Sequence, residues 1–364
     1  MLFEIQRDHF LEGLSKTVPI TEKKSPLPIL SHILMDTEDS KLILTATDLE
    51  VGLRMTYDAQ VTNPGSLAAP AKKIFEIVRE LPSKTVTVDA TEGSRMKIMC
   101  GKSVFELAAM DPLDYPAWPE FDRSSASVVQ AESLLYMIDK TMFASSSDDS
   151  RFNLNGVLFE QTEQKIRLVA TDGHRLALID ESLGISLESK VLVPRKGLQE
   201  LRRLLENVKG EISLGFDQKN LFIVTDRFTM TVRLIEGDYP DYRKVIPQKS
   251  DNVSKVNRMG LMQLLKRVAV LTSDRNKGIT VRLVPGSLEM TAVHPDLGTA
   301  RDEIDIQYDG DEHVVIINAV YLMEALGVID SDDVLFEFSK EKTPIIIRPE
   351  PEKNYFNLVM PMRR

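Results

Sequence analysis

An internal repeat constrains the fold of this chain more than any other feature of its sequence. The segment LTATDLEVGL (Leu44–Leu53) resembles LVATDGHRLAL (Leu168–Leu178), with the shared Thr-Asp pair 124 residues further on. The tripeptide Asp-Tyr-Pro begins at Asp114 and again at Asp238, which is the same offset of 124 residues. Self-similarity at a fixed period indicates copies of one structural unit.

A third copy is fainter. Helical patterns begin at Pro70, Pro194 and Asn318, each 124 residues after the one before. A chain of 364 residues is also long enough for two or three cores. We therefore predict three copies of one domain, spanning residues 1–122, 123–247 and 248–364, with boundaries where Pro, Ser and Asp gather.

Each copy has the same predicted order of elements. An amphipathic helix comes first, and alternating strands follow, such as Lys41–Ala46 and Lys165–Ala170. A second helix is predicted from about Ala71 to Leu81 in the first copy and from about Lys196 to Val208 in the second. No strand–helix–strand rhythm is present. The fold class is therefore α+β, with two helices packed on antiparallel sheet in each domain.

Composition narrows the function. The net charge of −10 argues against an ordinary nucleic-acid binder, which usually has a basic surface. Cys100 is the only cysteine, which favours a reducing, cytoplasmic setting. The first residues lack the apolar run of a signal peptide, and Val314–Leu326 is too short to cross a bilayer. No membrane partner is expected.

The short motifs do not indicate a phosphate-binding, metal or catalytic site. Cys-Gly-Lys-Ser at Cys100–Ser103 lacks the first glycine of a phosphate-binding loop and suits a hairpin. The histidines have no metal-ligand spacing, so no metal or cofactor is expected. Asp172 and His174 could belong to a catalytic group, but the aspartate recurs as Asp48 in the first copy. A strand-end turn stabilised by the aspartate is the better interpretation. Only Gly-His-Arg is particular to the second copy.

Several helix faces are locally basic in this acidic protein. An ordinary solvated face explains any single one, but recurrence at equivalent repeat positions favours a function. The residues are Lys72, Lys73 and Arg79 in the first copy, Lys196, Arg202 and Arg203 in the second, and Lys266 and Arg267 in the third.

Taken together, these features resemble one family, the bacterial sliding clamps that form the beta subunit of DNA polymerase III. The resemblance covers the whole chain. Its most specific stretches are LPIL (Leu27–Leu30), TDLE (Thr47–Glu50), LNG (Leu154–Gly156), VATDGHRLA (Val169–Ala177), VPRKG (Val193–Gly197), PDYRKV (Pro240–Val245) and VMPMR (Val359–Arg363).

The resemblance implies a head-to-tail homodimer that closes six domains into a ring around double-stranded DNA. It also implies partners: a clamp loader complex, and DNA polymerases and other proteins with a clamp-binding motif. It implies no enzymatic activity. Twelve helices of about 10 Å each would leave a hole on the order of 28 Å, which admits a duplex. Enclosure needs few phosphate contacts, so the acidic net charge is compatible with this role.

Three sets of site residues are carried over by motif. The expected DNA contacts are Lys24, Lys72, Arg79, Lys196, Arg202, Arg203 and Lys266. The expected partner-peptide pocket comprises Leu154, Thr171, Gly173, His174, Arg175, Leu176, Pro240, Lys244, Val245, Leu358, Met360, Pro361 and Met362, with Arg175 and Lys244 as polar or charged anchors. The expected dimer interface comprises Lys73, Arg95, Lys102, Phe105, Leu107, Val270, Leu271, Asp296 and Asp302.

Two alternatives stay open on the sequence alone. One is an enzyme with a divergent active site around Asp172 and His174, although no nucleophile or cofactor loop accompanies them. The other is a protein-binding repeat scaffold that never encircles DNA, against which the basic helix faces count only moderately.

Overall fold

The computed structural model describes residues 1–22, 26–91, 94–247, 252–273, 277–338 and 343–362. The described residues form six α-helices and 25 strands. The helices are α1 (Arg7–Thr17), α2 (Ala71–Glu80), α3 (Ala131–Thr141), α4 (Arg195–Leu205), α5 (Arg258–Ala269) and α6 (Ala319–Gly327). Each copy therefore has the two helices and the antiparallel strands that the sequence predicts.

The strands follow the repeat closely. Those of the first copy are β1 (Leu2–Gln6), β2 (His32–Glu38), β3 (Lys41–Thr47), β4 (Val51–Asp58), β5 (Gln60–Asn63), β6 (Gly65–Pro70), β7 (Thr85–Asp89), β8 (Arg95–Cys100) and β9 (Ser103–Ala108). Those of the second are β10 (Ser127–Gln130), β11 (Gly156–Thr162), β12 (Lys165–Thr171), β13 (Arg175–Glu181), β14 (Val191–Pro194), β15 (Glu211–Phe216), β16 (Asn220–Val224) and β17 (Phe228–Arg233). Those of the third are β18 (Asn252–Asn257), β19 (Gly278–Val284), β20 (Ser287–His294), β21 (Gly298–Asp305), β22 (His313–Asn318), β23 (Asp333–Phe338), β24 (Ile345–Glu350) and β25 (Tyr355–Val359).

The helices end close to their predicted limits, with one exception. Helix α4 was predicted to reach Val208, but it ends at Leu205. The Val208 amide donates to the Leu205 carbonyl in a tighter turn, and Gly210 then takes a positive φ of 83°. That left-handed conformation reverses the chain into β15. The Cys-Gly-Lys-Ser segment forms the β8–β9 hairpin turn, as predicted, with Gly101 at φ 60°.

The strands form four antiparallel sheets in two compact units. One unit contains residues 1–132 and 196–234, and the other contains residues 133–195 and 235–364. The first unit has a sheet of order β5-β1-β7-β8-β9 and an eight-stranded sheet of order β10-β15-β16-β17-β4-β3-β2-β6. The second unit has an eight-stranded sheet of order β14-β11-β12-β13-β25-β24-β23-β18 and a sheet of order β21-β20-β19-β22.

Strands of neighbouring copies thus share sheets, which the sequence did not predict. At the first junction β4 pairs with β17, and at the second junction β13 pairs with β25. The two junctions are alike in detail: the Arg233 amide donates to the Glu50 carbonyl at 2.8 Å, and the Met360 amide donates to the His174 carbonyl at 2.8 Å. The compact units therefore divide the central copy between them.

The repeated Asp-Tyr-Pro motif has a structural role. The Tyr115 hydroxyl donates to the carbonyl of Thr45 at 3.1 Å, and the Tyr239 hydroxyl donates to that of Val169 at 3.5 Å. Both rings are buried, and burial raises the pKa of both hydroxyls well above the ordinary range. Each tyrosine therefore fixes the chain that leaves its copy against the central strand of that copy.

Candidate functional site

The Thr-Asp turn has the same geometry in two copies. In the second copy the Asp172 carboxylate accepts from the amides of His174 at 2.9 Å and Arg175 at 3.1 Å. In the first copy the Asp48 carboxylate accepts from two amides at the equivalent positions, at 2.9 and 2.8 Å. The predicted strand-end turn is confirmed. The aspartate holds backbone rather than the His174 ring, so the turn geometry does not support a catalytic pair.

Arg175, one of the two expected polar or charged anchors, is buried against the turn. One guanidinium nitrogen lies 3.0 Å from the Asp172 carboxylate and another 2.8 Å from the Phe143 carbonyl. A third contact is an ion pair with Glu324 of α6, and the guanidinium lies 4.6 Å from the centre of the Tyr321 ring. The residue therefore fastens the turn to α6. Each of its three guanidinium nitrogens has a partner, and two of these partners are carboxylates that neutralise its charge.

Four of the predicted pocket residues meet in one apolar cluster. Leu176 of β13 and Leu358 of β25 are buried in it, and Leu154 and Met360 pack against it half-buried. Tyr239, Tyr242 and Ile246, which were not predicted, also pack in this cluster. The repeat of Asp-Tyr-Pro could have indicated Tyr239, and the PDYRKV stretch contains Tyr242.

The remaining predicted pocket residues are more exposed. Val245 is 39% exposed and Met362 is 38% exposed, and Phe152, which was not predicted, is 60% exposed. The Lys244 side chain is 80% exposed and approaches Asp241 at 3.6 Å. Of the two expected anchors, Lys244 is thus the available charge. Thr171 and Pro361 are half-buried, and Gly173, His174 and Pro240 are exposed.

The basic helix residues are exposed but largely paired. Lys72 and Lys73 of α2 lie 3.8 and 2.8 Å from Glu76, and the Lys73 hydrogen bond lowers the pKa of that carboxyl. On the same helix Arg79 pairs with Glu80 at 3.1 Å. Lys266 of α5 is exposed. Lys24 lies outside the described residues.

Helix α4 shows the same pairing. Lys196 lies 2.6 Å from Asp48 and 3.1 Å from Glu50. Burial opposes its charge, but the two carboxylates outweigh burial and raise the pKa of Lys196. Arg202 pairs with Glu206 at 3.1 Å, and Arg203 pairs with Glu200 at 2.7 Å. A polyanion can bind these cations only by competing with the carboxylates that already pair with them.

Apart from Lys73, which lies on α2, the predicted interface residues lie on or near two strands that are sheet edges within the described residues. Strand β9 ends the five-stranded sheet, with Val104 63% and Phe105 38% exposed. Strand β21 ends the four-stranded sheet, and Val270, just after α5, is 76% exposed. Asp302 of β21 already pairs with Arg267, which lowers the pKa of its carboxyl.

The other predicted interface residues divide by exposure. Arg95 pairs with Glu106 at 3.1 Å. Lys102 and Asp296 are exposed, and Leu107 and Leu271 are half-buried.

Two structural features that the sequence leads us not to expect concern metals and membranes, and both statements apply to the described residues. Within those ranges, no three or more His, Cys, Asp and Glu side chains are grouped so that they could hold a metal ion. No helix in the described part of the chain is long and apolar enough to cross a membrane.

Known proteins of similar sequence and structure identify the family. The family model for the DNA polymerase III beta subunit matches residues 1–119 as its N-terminal domain, 128–241 as its central domain and 243–363 as its C-terminal domain. The beta sliding clamp of Pseudomonas putida is 33% identical over 367 residues, and that of Escherichia coli K12 is 31% identical over 366 residues, with 100% of each chain covered in both comparisons.

Solved structures agree with the sequence comparison. The DNA polymerase sliding clamp of Pseudomonas aeruginosa, crystallised with a ligand, superposes with a TM-score of 0.95 at 33% identity, and the Caulobacter crescentus pol III beta structure with a TM-score of 0.94 at 30% identity. Both matches cover 100% of each chain. This chain therefore belongs to the DNA polymerase III beta subunit family, the bacterial beta sliding clamps.

Proposed function

We propose that this protein is a DNA sliding clamp: two copies join head to tail, close six domains into a ring around duplex DNA, and tether polymerases to it. The role is mechanical and needs no catalytic residue. The names of its relatives support this function. We further propose that it acts in the cytoplasm, that a clamp loader opens the ring, and that the domains span residues 1–122, 123–247 and 248–364.

One observation carries the proposal. Each junction inside the chain joins the strand after the Thr-Asp turn, β4 or β13, to the last strand of the next copy, β17 or β25. The third copy has its own strand after the corresponding turn, β21, and the first copy has its own last strand, β9. In the part of the chain that the structure describes, both are unpaired sheet edges. An unpaired edge is a template for pairing, so β21 of one protomer suits β9 of another.

The internal junctions also supply a register. Hairpin β20–β21 corresponds to β12–β13, and hairpin β8–β9 corresponds to β16–β17. At the first junction Leu53 lies opposite Met230. The equivalent pair between protomers is Ala300 opposite Phe105 of the partner subunit. Two residues further along, Asp302 then lies opposite Ser103 of the partner subunit.

A disulfide trap tests this register. The first-junction pair equivalent to Asp302 and Ser103 is next to a hydrogen-bonded one, in which the Thr56 amide donates to the Arg227 carbonyl. It is therefore a close, non-hydrogen-bonded pair, with Cα atoms about 4.5 Å apart, which a disulfide can span. We expect Ser103→Cys with Asp302→Cys to oxidise to a covalent dimer on a non-reducing gel.

The matched control for the trap is Ser103→Cys with Glu303→Cys. Neighbouring residues on a strand point to opposite faces, so this pair should remain monomeric on the gel. The native Cys100 is buried and should not interfere. Cross-linking of the control pair alone would contradict the register. A ladder of longer polymers would contradict ring closure, because a ring of two protomers uses up both edges.

The helices supply the proposed DNA-facing surface. Exposed bases on α2, α4 and α5 keep that surface favourable to phosphate, while their pairing with carboxylates limits the strength of each contact. A protein that must slide benefits from contacts of this kind. The proposed contacts remain Lys24, Lys72, Arg79, Lys196, Arg202, Arg203 and Lys266.

We propose the apolar cluster at the second junction as the groove for partner peptides. Its floor is Leu176, Leu358, Tyr239 and Tyr242, and adaptable methionines lie at its edge. Lys244 is placed to meet an acidic residue of the peptide. Arg175 has a different role, which is to hold the turn that shapes the groove.

Substitutions at the exposed rim test the groove without disturbing the core. We expect Val245→Glu together with Met362→Glu to weaken binding of a peptide carrying a polymerase clamp-binding motif by roughly a hundred-fold, because the peptide would desolvate both new carboxylates. Isothermal calorimetry measures the loss. Val253→Glu is the matched control, since Val253 is 50% exposed in the same unit but lies on β18. Equal affinity for all three proteins would refute the placement of the groove.

A further inference from the structure

The first compact unit contains a second concave surface, distinct from the groove at the second junction. A hollow of about 910 Å³ lies between the eight-stranded sheet and the segment that connects the first copy to the second. Its lining includes Arg54 and Thr56 of β4, Phe222 of β16, Thr229 of β17, and Trp118 and Phe121 of the connecting segment. A smaller hollow of about 270 Å³ shares Arg123 and Val224 with it. The two hollows are adjacent, and we call them together the trough.

The two connecting segments pack differently. At the second junction Tyr242 is buried in the apolar cluster. The repeat-equivalent residue at the first junction is Trp118, whose ring lies against Gly52, where any Cβ would approach it to 3.0 Å. Phe121 stacks on Phe222 with ring centres 4.4 Å apart. The connecting segment is thus held to the sheet at two aromatic residues, with the hollow between them.

Arg54 is a half-buried cation in the lining of the trough. Its guanidinium lies 4.3 Å from the centre of the Trp118 ring, and its Nε donates to the Thr45 hydroxyl at 3.3 Å. Among the described residues Arg54 forms no ion pair. Burial lowers the pKa of its guanidinium, and only the negative charge of Asp36 acts in the opposite direction. A half-buried guanidinium held rigidly on a ring and without a carboxylate partner is suited to an anionic ligand.

The other charges at the trough restrict the kind of anion. Glu120 and Asp122 belong to the lining of the larger hollow beside Arg54, Glu211 and Asp226 belong to the lining of the smaller hollow, and Arg123 belongs to both. Charges therefore balance in the larger hollow, which disfavours a multiply charged phosphate or a nucleic acid but tolerates one carboxylate on Arg54, and carboxylates outnumber the single cation in the smaller one. At the far end they favour a cation. The trough therefore suits an extended chain that is acidic at one end and basic at the other.

We propose that this trough is a second peptide-binding site, which takes a linear segment of a partner protein with its acidic residue on Arg54 and its basic residue near Glu211 and Asp226. The site lies wholly within the first unit. It requires neither a second protomer, nor DNA, nor the groove at the second junction. Its test therefore uses the free protein, and its failure would leave the clamp function untouched.

The chain provides its own reporter, because Trp118 is its only tryptophan. The probe is the peptide acetyl-Ser-Asp-Leu-Ser-Gly-Lys-amide, which has no fluorescence of its own, titrated into the full-length protein. We expect a saturable change in tryptophan emission. The peptide with Asn in place of Asp should bind at least roughly ten-fold more weakly, because it cannot form a charge-assisted pair with Arg54.

Variants assign the effect to Arg54. Arg54→Gln should lose the difference between the two peptides, whereas Arg227→Gln, on an exposed neighbour outside the lining, should keep it. If Arg54→Gln does not fold, Thr56→Glu serves instead: it places a carboxylate two residues away on the same face of β4, and should abolish binding by satisfying Arg54 internally.

Three results would overturn the proposal. One is the absence of a saturable change, and another is equal affinity for the two peptides. The third is tighter binding of inorganic phosphate or acetate than of the Asp peptide, which would assign the trough to small anions instead of a protein segment.

Discussion

Val270→Ala combined with Leu271→Ala is expected to convert the dimer into folded monomers. Val270 is 76% exposed in the single chain and Leu271 is half-buried, so their apolar surface has little to cover it until a second protomer binds. The two truncations remove five carbons, which forfeits about 4 kcal/mol of apolar burial at each interface. Dissociation of a two-protomer ring breaks both interfaces, so the loss is about 8 kcal/mol per dimer, or roughly 10⁶-fold in the dissociation constant.

Sedimentation velocity measures this effect directly. The double variant should sediment as a monomer at micromolar concentration, with an unchanged thermal unfolding midpoint per chain. Met259→Ala is the matched control, because Met259 is 47% exposed at the start of the same helix, α5, and should remain dimeric. A double variant that sediments as a dimer would show that the contact between protomers lies elsewhere.

Local features of this fold were accessible from the sequence. The helices follow from apolar stripes, and the buried residues of α5, which are Leu261, Leu264, Leu265 and Val268, are those that the stripe predicts. The turn at Asp172 follows from the recurrence of its aspartate at Asp48, since a carboxylate that accepts from the next amides needs no distant partner. Periodicity and short-range hydrogen bonding suffice for such features.

Long-range pairing was not accessible. Alternation in β4 predicts a strand with one buried face, but it does not say that the neighbour is β17, a strand of the next copy. Arg175 fastens the turn through contacts with Glu324, which is 149 residues away, and with the Phe143 carbonyl. The sequence suggests that Lys196 is a free base, but in the structure its ammonium group pairs with the Asp48 carboxylate. Contacts of this kind are set by topology, which a single sequence does not encode in its periodicity.

Retention on DNA is expected to depend on topology and only weakly on salt. If phosphate contacts held the protein, the logarithm of the binding constant would fall with the logarithm of salt concentration by about 0.9 for each neutralised phosphate. Most of the described bases on helices α2 and α4 that could contact DNA are paired with carboxylates, and the net charge is −10. Contacts this weak cannot hold a protein on DNA through a wash at moderate salt, whereas a closed ring can.

Two sets of substitutions distinguish retention by phosphate contacts from retention by ring closure. Arg202→Ala with Arg203→Ala should reduce the small direct affinity for DNA and slow loading, because it removes two cations from α4. The same variant should keep its dependence on DNA ends once it is loaded. The Val270→Ala, Leu271→Ala variant should show the opposite behaviour, with direct affinity preserved and retention lost.

Release upon linearisation tests the ring most directly. The protein is loaded by a clamp loader onto a nicked circular duplex, washed at moderate salt, and followed by fluorescence while a restriction enzyme cuts the circle once. We predict that the washed protein stays on the intact circle and leaves within the time it needs to slide to the new end. Equal retention on cut and uncut DNA, with a steep salt dependence on both, would contradict enclosure and indicate an electrostatic binder.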